Sequence, residues 1–326
     1  MFTYVSKKIG VFILFMFLLS VFIFTLSRLA PGDPLQSFYG ERVEHMSMVE
    51  QQNARERLGL DEPLPVQYEK WLYNAVHGDF GISFKYRKPA IDILSALIGN
   101  TLLLGITAYG LVFLLAILLA VLCALHEDTW LDRIICKLGT IVYYLPPFWL
   151  GLLLILLFSV NLHWLPSGGA YDIGQSGNML NRLQHMLLPL IVMVTSHLWY
   201  YAYMIRNKLL DEIRKDYVLL AKMKGLTRQQ IVWRHCLRNV APSIISIMAI
   251  SVTHVLGGTY VVEAVFSYPG IGALSIESAK YHDYNLLMLV VLVTGALVVI
   301  SSLVAQTINE CIDPRMQEGV DYEKKR

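Results

Sequence analysis

The residues best suited to chemistry in this chain are its histidines, its cysteines and one dense run of cations. Nine histidines are present, and His197 and His254 sit inside long apolar stretches. An ionisable group at that depth is a candidate for function. Met193, Met204 and Met248 share those stretches, so a soft-metal path is one reading. A neutral imidazole that hydrogen-bonds between helices as packing is the other. His163, His185 and His282 fall in connections, where they either line an entry vestibule or are simply solvated. Cys123, Cys136, Cys236 and Cys311 include no C-x-x-C pair, which reads as reduced thiols and not as a disulfide or metal framework.

The chemistry of an enzyme is missing. No G-x-x-x-x-G-K-[ST] is present to cradle a nucleotide, and there is neither H-E-x-x-H nor G-x-S-x-G. Gly270-Ile271-Gly272 lacks the third glycine of a dinucleotide fingerprint, and the carboxylates gather in connections, not inside apolar runs. A net charge of +2 supplies no basic field for nucleic acid.

The cations gather between Asp216 and Pro242, where Lys222, Lys224, Arg228, Arg234 and Arg238 surround Gly225. Tyr217, Leu220 and Ala221 share a half-turn stripe, too short to span anything. Gly225 can end that short helix in the left-handed conformation. Leu226-Thr227 then makes a turn into a second short helix with Ile231, Val232 and His235 on one face. Two such helices either lie on a membrane surface or present a knob to the groove of a partner. Gly257-Gly258 falls within an apolar run, where it serves close packing or lines a path. Glu263 leads from that run into an aromatic, turn-rich loop containing Pro269, Gly270 and Gly272, a candidate gate or docking loop. Trp199, Tyr200, Tyr201 and Tyr203 read as an interfacial aromatic belt.

The elements that must position these residues are membrane spans. The 326 residues are 55% hydrophobic and 16% charged, far from the about 25% charged of soluble domains. Six runs are near the roughly 20 residues needed to cross a bilayer: 9–29, 101–125, 138–160, 186–204, 240–262 and 286–308. The third carries Pro146-Pro147, which predicts a kink inside a bundle. Lys and Arg concentrate in the connection between spans four and five, whereas 161–185 and 263–285 carry only Arg182 and Lys280. By the positive-inside rule both termini are cytoplasmic and 30–100 lies outside. Within 30–100, Ser47 and Glu50 spell a capping box for a helix ended by Gly59. Pro65 opens a second helix running to His77 and Gly78.

Val218 to Gly225, the Arg-rich helix and Asn239-Val240-Ala241-Pro242 resemble the EAA loop of ABC-importer permeases, in the branch serving oligopeptides, dipeptides and nickel. The resemblance runs along nearly the whole chain. It includes Arg28 to Pro34, Leu58-Gly59-Leu60-Asp61, Gly78 to Phe84, Phe148-Trp149-Leu150-Gly151, Glu263 to Gly272 and Asp313-Pro314-Arg315. Leu219 and Leu220 stand where the motif has its Glu and first Ala. The resemblance therefore assigns docking to Ala221 and Gly225 with their neighbours Asp216, Tyr217, Leu220, Lys224, Leu226 and Arg228, and no Glu-specific contact.

The resemblance implies an all-α, six-helix permease of type I ABC-importer fold in a bacterial or archaeal cytoplasmic membrane. It implies a first helix at 1–29, an extracytoplasmic helical insertion at 30–100, a core at 101–308 with a coupling loop at 205–239, and a cytoplasmic tail at 309–326. It also implies partners: a second, homologous permease, two cytoplasmic ATPases that bind ATP and Mg, and an extracytoplasmic solute-binding protein. No cofactor is expected in this chain itself. The cargo is then a peptide, nickel or a metal chelate. A self-contained secondary transporter or channel is the alternative, but no internal repeat and no charged midplane group supports one.

Overall fold

A computed structural model describes residues 2–30 and 35–312. Pro31 to Pro34, Asp313-Pro314-Arg315 and the tail beyond 312 lie outside the described residues. Among those described, the chain is helical, with one isolated bridge between Ile82 and Pro89. Five helices are long and apolar enough to cross a membrane: Ser6–Leu29, Ala90–Leu125, Met179–Ile213, Arg228–Val255 and Tyr284–Cys311. A sixth span is the pair Trp130–Tyr143 and Pro147–Asn161, bent by 95°. The expected kink at Pro146-Pro147 is thus nearly a right angle. Neither proline can donate an amide to a continuing helix, and Pro146, extended at ψ 131, caps the second half.

The chain divides into two compact units, Met1–Thr101 with Pro269–Ile300, and Leu102–Tyr268 with Ser301–Arg326. In the first, α1 (Phe2–Leu29) packs on α4 (Leu64–Val76): Ser20 bonds Tyr68 at 2.8 Å, and Phe24 lies 5.4 Å from the Tyr68 ring and 5.5 Å from Trp71. Ahead of α4, a short α2 (Gln36–Tyr39) precedes α3 (Met48–Leu58). Both sequence signals here are realised. Ser47 and Glu50 form the capping box of α3, and Gly59 ends it at φ +65. The helix α5 (Ala90–Leu125) starts earlier than the span expected at 101–125. Its first turns form a core with α12 (Ile271–Lys280) and α13 (Tyr284–Ile312) through Ile93, Leu94, Leu274, Leu286 and Leu289.

Polar ties in this unit join segments far apart in sequence. Ser83 donates to the buried Asp283, Lys85 pairs with Glu277, and Tyr86 donates to Glu277 at 2.7 Å. Burial pushes the Asp283 carboxyl above its usual range. The Glu277 carboxyl is also partly desolvated, yet hydrogen bonds from Lys85 and Tyr86 outweigh this and hold it below its ordinary value.

In the second unit, the later turns of α5, α7 (Pro147–Leu154), α8 (Met179–Ile213) and α11 (Leu237–Val265) share one apolar core, and α6 (Trp130–Tyr143) packs along α8. Small residues set the helix spacing. A Cβ on Gly139 would stand 2.5 Å from the Trp199 ring, and one on Gly151 would stand 3.0 Å from Val265. Tyr109 donates to the Met248 carbonyl at 2.7 Å, tying α5 to α11.

Candidate functional site

The cationic segment begins where α8 ends at Ile213. Helix α9 (Asp216–Met223) follows after two residues, and α10 (Arg228–Ile231) after the turn. Gly225 adopts φ +81 as expected, with its N–H bonded to Lys222 O and the Leu226 N–H to Ala221 O. Thr227 caps α10 in a reciprocal box with Gln230. The second short helix, however, does not stand alone. It runs through π-helical turns at Val232–Cys236 directly into α11. The pair is therefore one free-standing short helix and the first turn of a long one.

The apolar side chains of α9 divide differently from the expected stripe. Val218 and Ala221 are buried in the core, while Leu219, Leu220 and Met223 are 61%, 59% and 77% exposed. Ala221 faces the body of the chain, where its small side chain lets α9 lie close. Leu220 faces away from it. Asp216 and Lys224 are exposed and Leu226 is half-buried. An exposed apolar trio on so short a helix, flanked by Lys222 and Lys224, is a surface that lacks a covering.

Buried polar contacts fix this helix to the spans. Glu212, 7% exposed, accepts from the Tyr217 hydroxyl at 2.9 Å and Asn239 at 3.1 Å, and pairs with Lys215 at 2.6 Å. One carboxylate thereby joins the ends of α8, α9 and α11. Burial, with the Cys236 thiol and the Glu212 carboxylate alongside, pushes the Tyr217 hydroxyl well up, so it stays a donor. Arg228 donates to the Ala124 carbonyl at 2.8 Å and to Glu127 at 3.2 Å, and Arg214 takes the other oxygen of Glu127 at 3.0 Å. Deeper between the helices, Arg206 holds Asp132 through two hydrogen bonds, of 2.8 and 2.5 Å. Sequence reading missed Glu212, Glu127 and Asp132. Each works through a partner whose proximity only the fold creates.

The intramembrane candidates separate. His197 donates from Nδ1 to the Met193 carbonyl of its own helix at 2.8 Å, and its ring fills the space a Cβ on Gly258 would need, at 2.8 Å. Gly258 is thus a packing glycine. Gly257 has nothing within 4 Å of its Cβ position, and it shares an exposed face of α11 with His254 and Val261. Glu263 is fully buried and belongs to the second unit. Pro269, Gly270 and Gly272 belong to the first unit, where the Pro269 carbonyl accepts from Asn100 at 2.8 Å and Gly270 caps α12.

Residues 116–318 match the family described as binding-protein-dependent transport system inner membrane component, and residues 1–104 match its N-terminal component. The chain belongs to this family. The permease is 33% identical over 300 residues to the oligopeptide transport system permease protein AppB of Bacillus subtilis (strain 168), covering 92% of this chain and 94% of that one. It is 31% identical over 335 residues to the di/tripeptide transport system permease protein DppB of Pseudomonas aeruginosa (strain UCBPP-PA14), with 97% and 99% covered. The glutathione transport system permease protein GsiC of Escherichia coli (strain K12) is 30% identical over 317 residues, again with 97% and 99% covered. A chain of the inward-facing MetNI methionine ABC transporter superposes with a TM-score of 0.57 at 16% identity, covering 68% of the permease and 97% of that chain. The permease is accordingly a multi-pass inner-membrane subunit of an ABC importer, of the peptide branch.

Proposed function

We propose that this permease forms half of the translocation path for short peptides and is driven through α9 by separate ATPase subunits. The observation that carries the docking is the exposed Leu219, Leu220 and Met223 on a short helix whose other face is buried and whose base is tied by Glu212. A helix presented in this way fits a groove on a partner. The basic connection favours a cytoplasmic position for α9 and both termini. The 30–100 insertion then faces the outside, where a solute-binding protein delivers cargo. A second permease covers the other half of the path, and ATP with Mg is bound by the ATPases.

The peptide reading rests on the relatives, whose names specify oligopeptide, di/tripeptide and glutathione transport. Nickel draws no support from His197, which bonds its own helix and packs on Gly258. The test is reconstitution of the permease with its ATPases and binding protein. ATPase stimulation by di- to pentapeptides and none by nickel is expected; stimulation by nickel alone overturns the peptide reading. Leu220→Asp should abolish co-purification of the ATPases while the permease still inserts. Normal assembly of that variant overturns docking through α9.

A further inference from the structure

Near the base of the same bundle lies a group that the transport reading does not use. Cys123 in the last turns of α5 and Asp132 and Cys136, four residues apart on one face of α6, bring two sulfurs and a carboxylate oxygen within 4.8 Å of one another. The sequence shows no C-x-x-C spacing here because the hairpin between α5 and α6, not local sequence, brings the thiols together. We propose that Cys123, Asp132 and Cys136 form a binding site for a soft divalent cation of the zinc class, unrelated to the transported cargo.

The donor set matches that chemistry. Two thiolates and one carboxylate suit zinc and its thiophilic analogues, whereas magnesium and calcium take oxygen alone. Thiolates about 2.3 Å from a tetrahedral zinc sit roughly 3.8 Å apart. Sulfurs already within 4.8 Å therefore need only a small closure. Room for a fourth ligand, such as water, adjoins the group. A cavity of about 270 Å³ is lined by Cys123 and Cys136 together with Gly139, Tyr143, Tyr200 and Arg206.

Charge bookkeeping favours the exchange. In the structure both sulfurs gather at one carboxylate: Cys136 Sγ lies 3.6 Å from Asp132 Oδ1, and the Cys123 sulfur lies within 4.8 Å of the group's other ligand atoms. Arg206 neutralises Asp132 from the other side. The reaction is M2+ plus two thiols giving a metal dithiolate and two protons. Two positive charges replace two protons, so the buried group is neutral before and after with Arg206 still in place. This avoids the cost of an unpaired buried charge. Arg206 thus offsets the third negative charge of the ligand set instead of excluding the metal. Cys236 and Cys311 belong to no such group among the described residues.

The experiment uses the full chain in detergent with a phosphine reductant and Cd2+ as the probe. Thiolate-to-cadmium charge-transfer absorption should saturate at about one equivalent, with about two protons released per metal. Metal should also raise the melting temperature, because it binds only the folded site. Cys123→Ser and Cys136→Ser should each reduce the absorption to background, while Cys236→Ser and Cys311→Ser retain it. Should a serine variant fail to fold, Co2+ on the unmodified chain still reads the site, through charge-transfer intensity corresponding to two sulfurs. No stoichiometric signal, a signal that survives the Cys123→Ser/Cys136→Ser double variant, or one lost with Cys311→Ser overturns the proposal.

Discussion

Gly225 and Gly258 mark two regions of the permease for opposite reasons. At Gly225 the backbone is left-handed at φ +81 and the space around it is open; at Gly258 the backbone is helical and the space is filled by His197. The first glycine lets the chain turn, and the second lets two helices approach. The region that turns is exposed and carries the uncovered face of α9. The region that packs is interior and holds the span in place. Gly225 therefore reports on backbone shape, while Gly258 reports on a neighbour.

The sharpest test of that contrast is Gly258→Leu, which forces a side chain into the His197 ring. Overpacking of this kind costs roughly 3 kcal/mol, seen as a large fall in melting temperature of the purified permease. His197→Ala in the same chain should restore most of it. Absence of rescue places the cost elsewhere than at this contact. Next is Gly225→Val, where a β-branched residue is held at positive φ at a cost of about 2 kcal/mol. Its effect should be greater on ATPase-coupled transport than on melting, because the strain falls on the presentation of α9. No partner side chain can rescue it. Gly225→Asn should be milder, about 1 kcal/mol or less, since asparagine tolerates the left-handed region. If Gly225→Asn is as damaging as Gly225→Val, shape alone does not explain the position. The smallest change is Gly257→Ala, whose Cβ meets nothing. Melting should stay within about 1 kcal/mol of the parent or rise slightly. A loss of transport without a loss of stability would place Gly257 on the cargo path.

Much of this was legible in the sequence, where the signal is local. The Ser47–Glu50 box, the stop at Gly59 and the turn at Gly225 each depend on a few adjacent residues, and all three appear as read. The spans were legible because apolar length is a property of one segment. The roles of Gly257 and Gly258 were not, because only the docked position of α8 tells one from the other. The faces of α9 were equally ambiguous, since leucines and alanine lie on both sides of a helix of two turns. Glu212 and Asp132 escaped notice because a buried carboxylate is affordable only with its partners, and Arg206 is 74 residues from Asp132. Pro146-Pro147 announced a break but not its angle, which the surrounding helices set.

The π-helical turns at Val232–Cys236 have a mechanical consequence. They join the turn beside α9 to α11 without an intervening loop, so a push at one end is delivered along a rod and not lost in slack. The 29 residues of α11 alone, at about 1.5 Å each, make a shaft of roughly 43 Å, whose far tip sweeps about 4 Å for a tilt of about 5°. The wider turns also place less regular hydrogen bonding at the end beside α9. Pro242, which has no amide to donate, lies about a turn and a half further on, so both irregularities of the shaft fall at the end nearest α9 and well before His254 and Gly257.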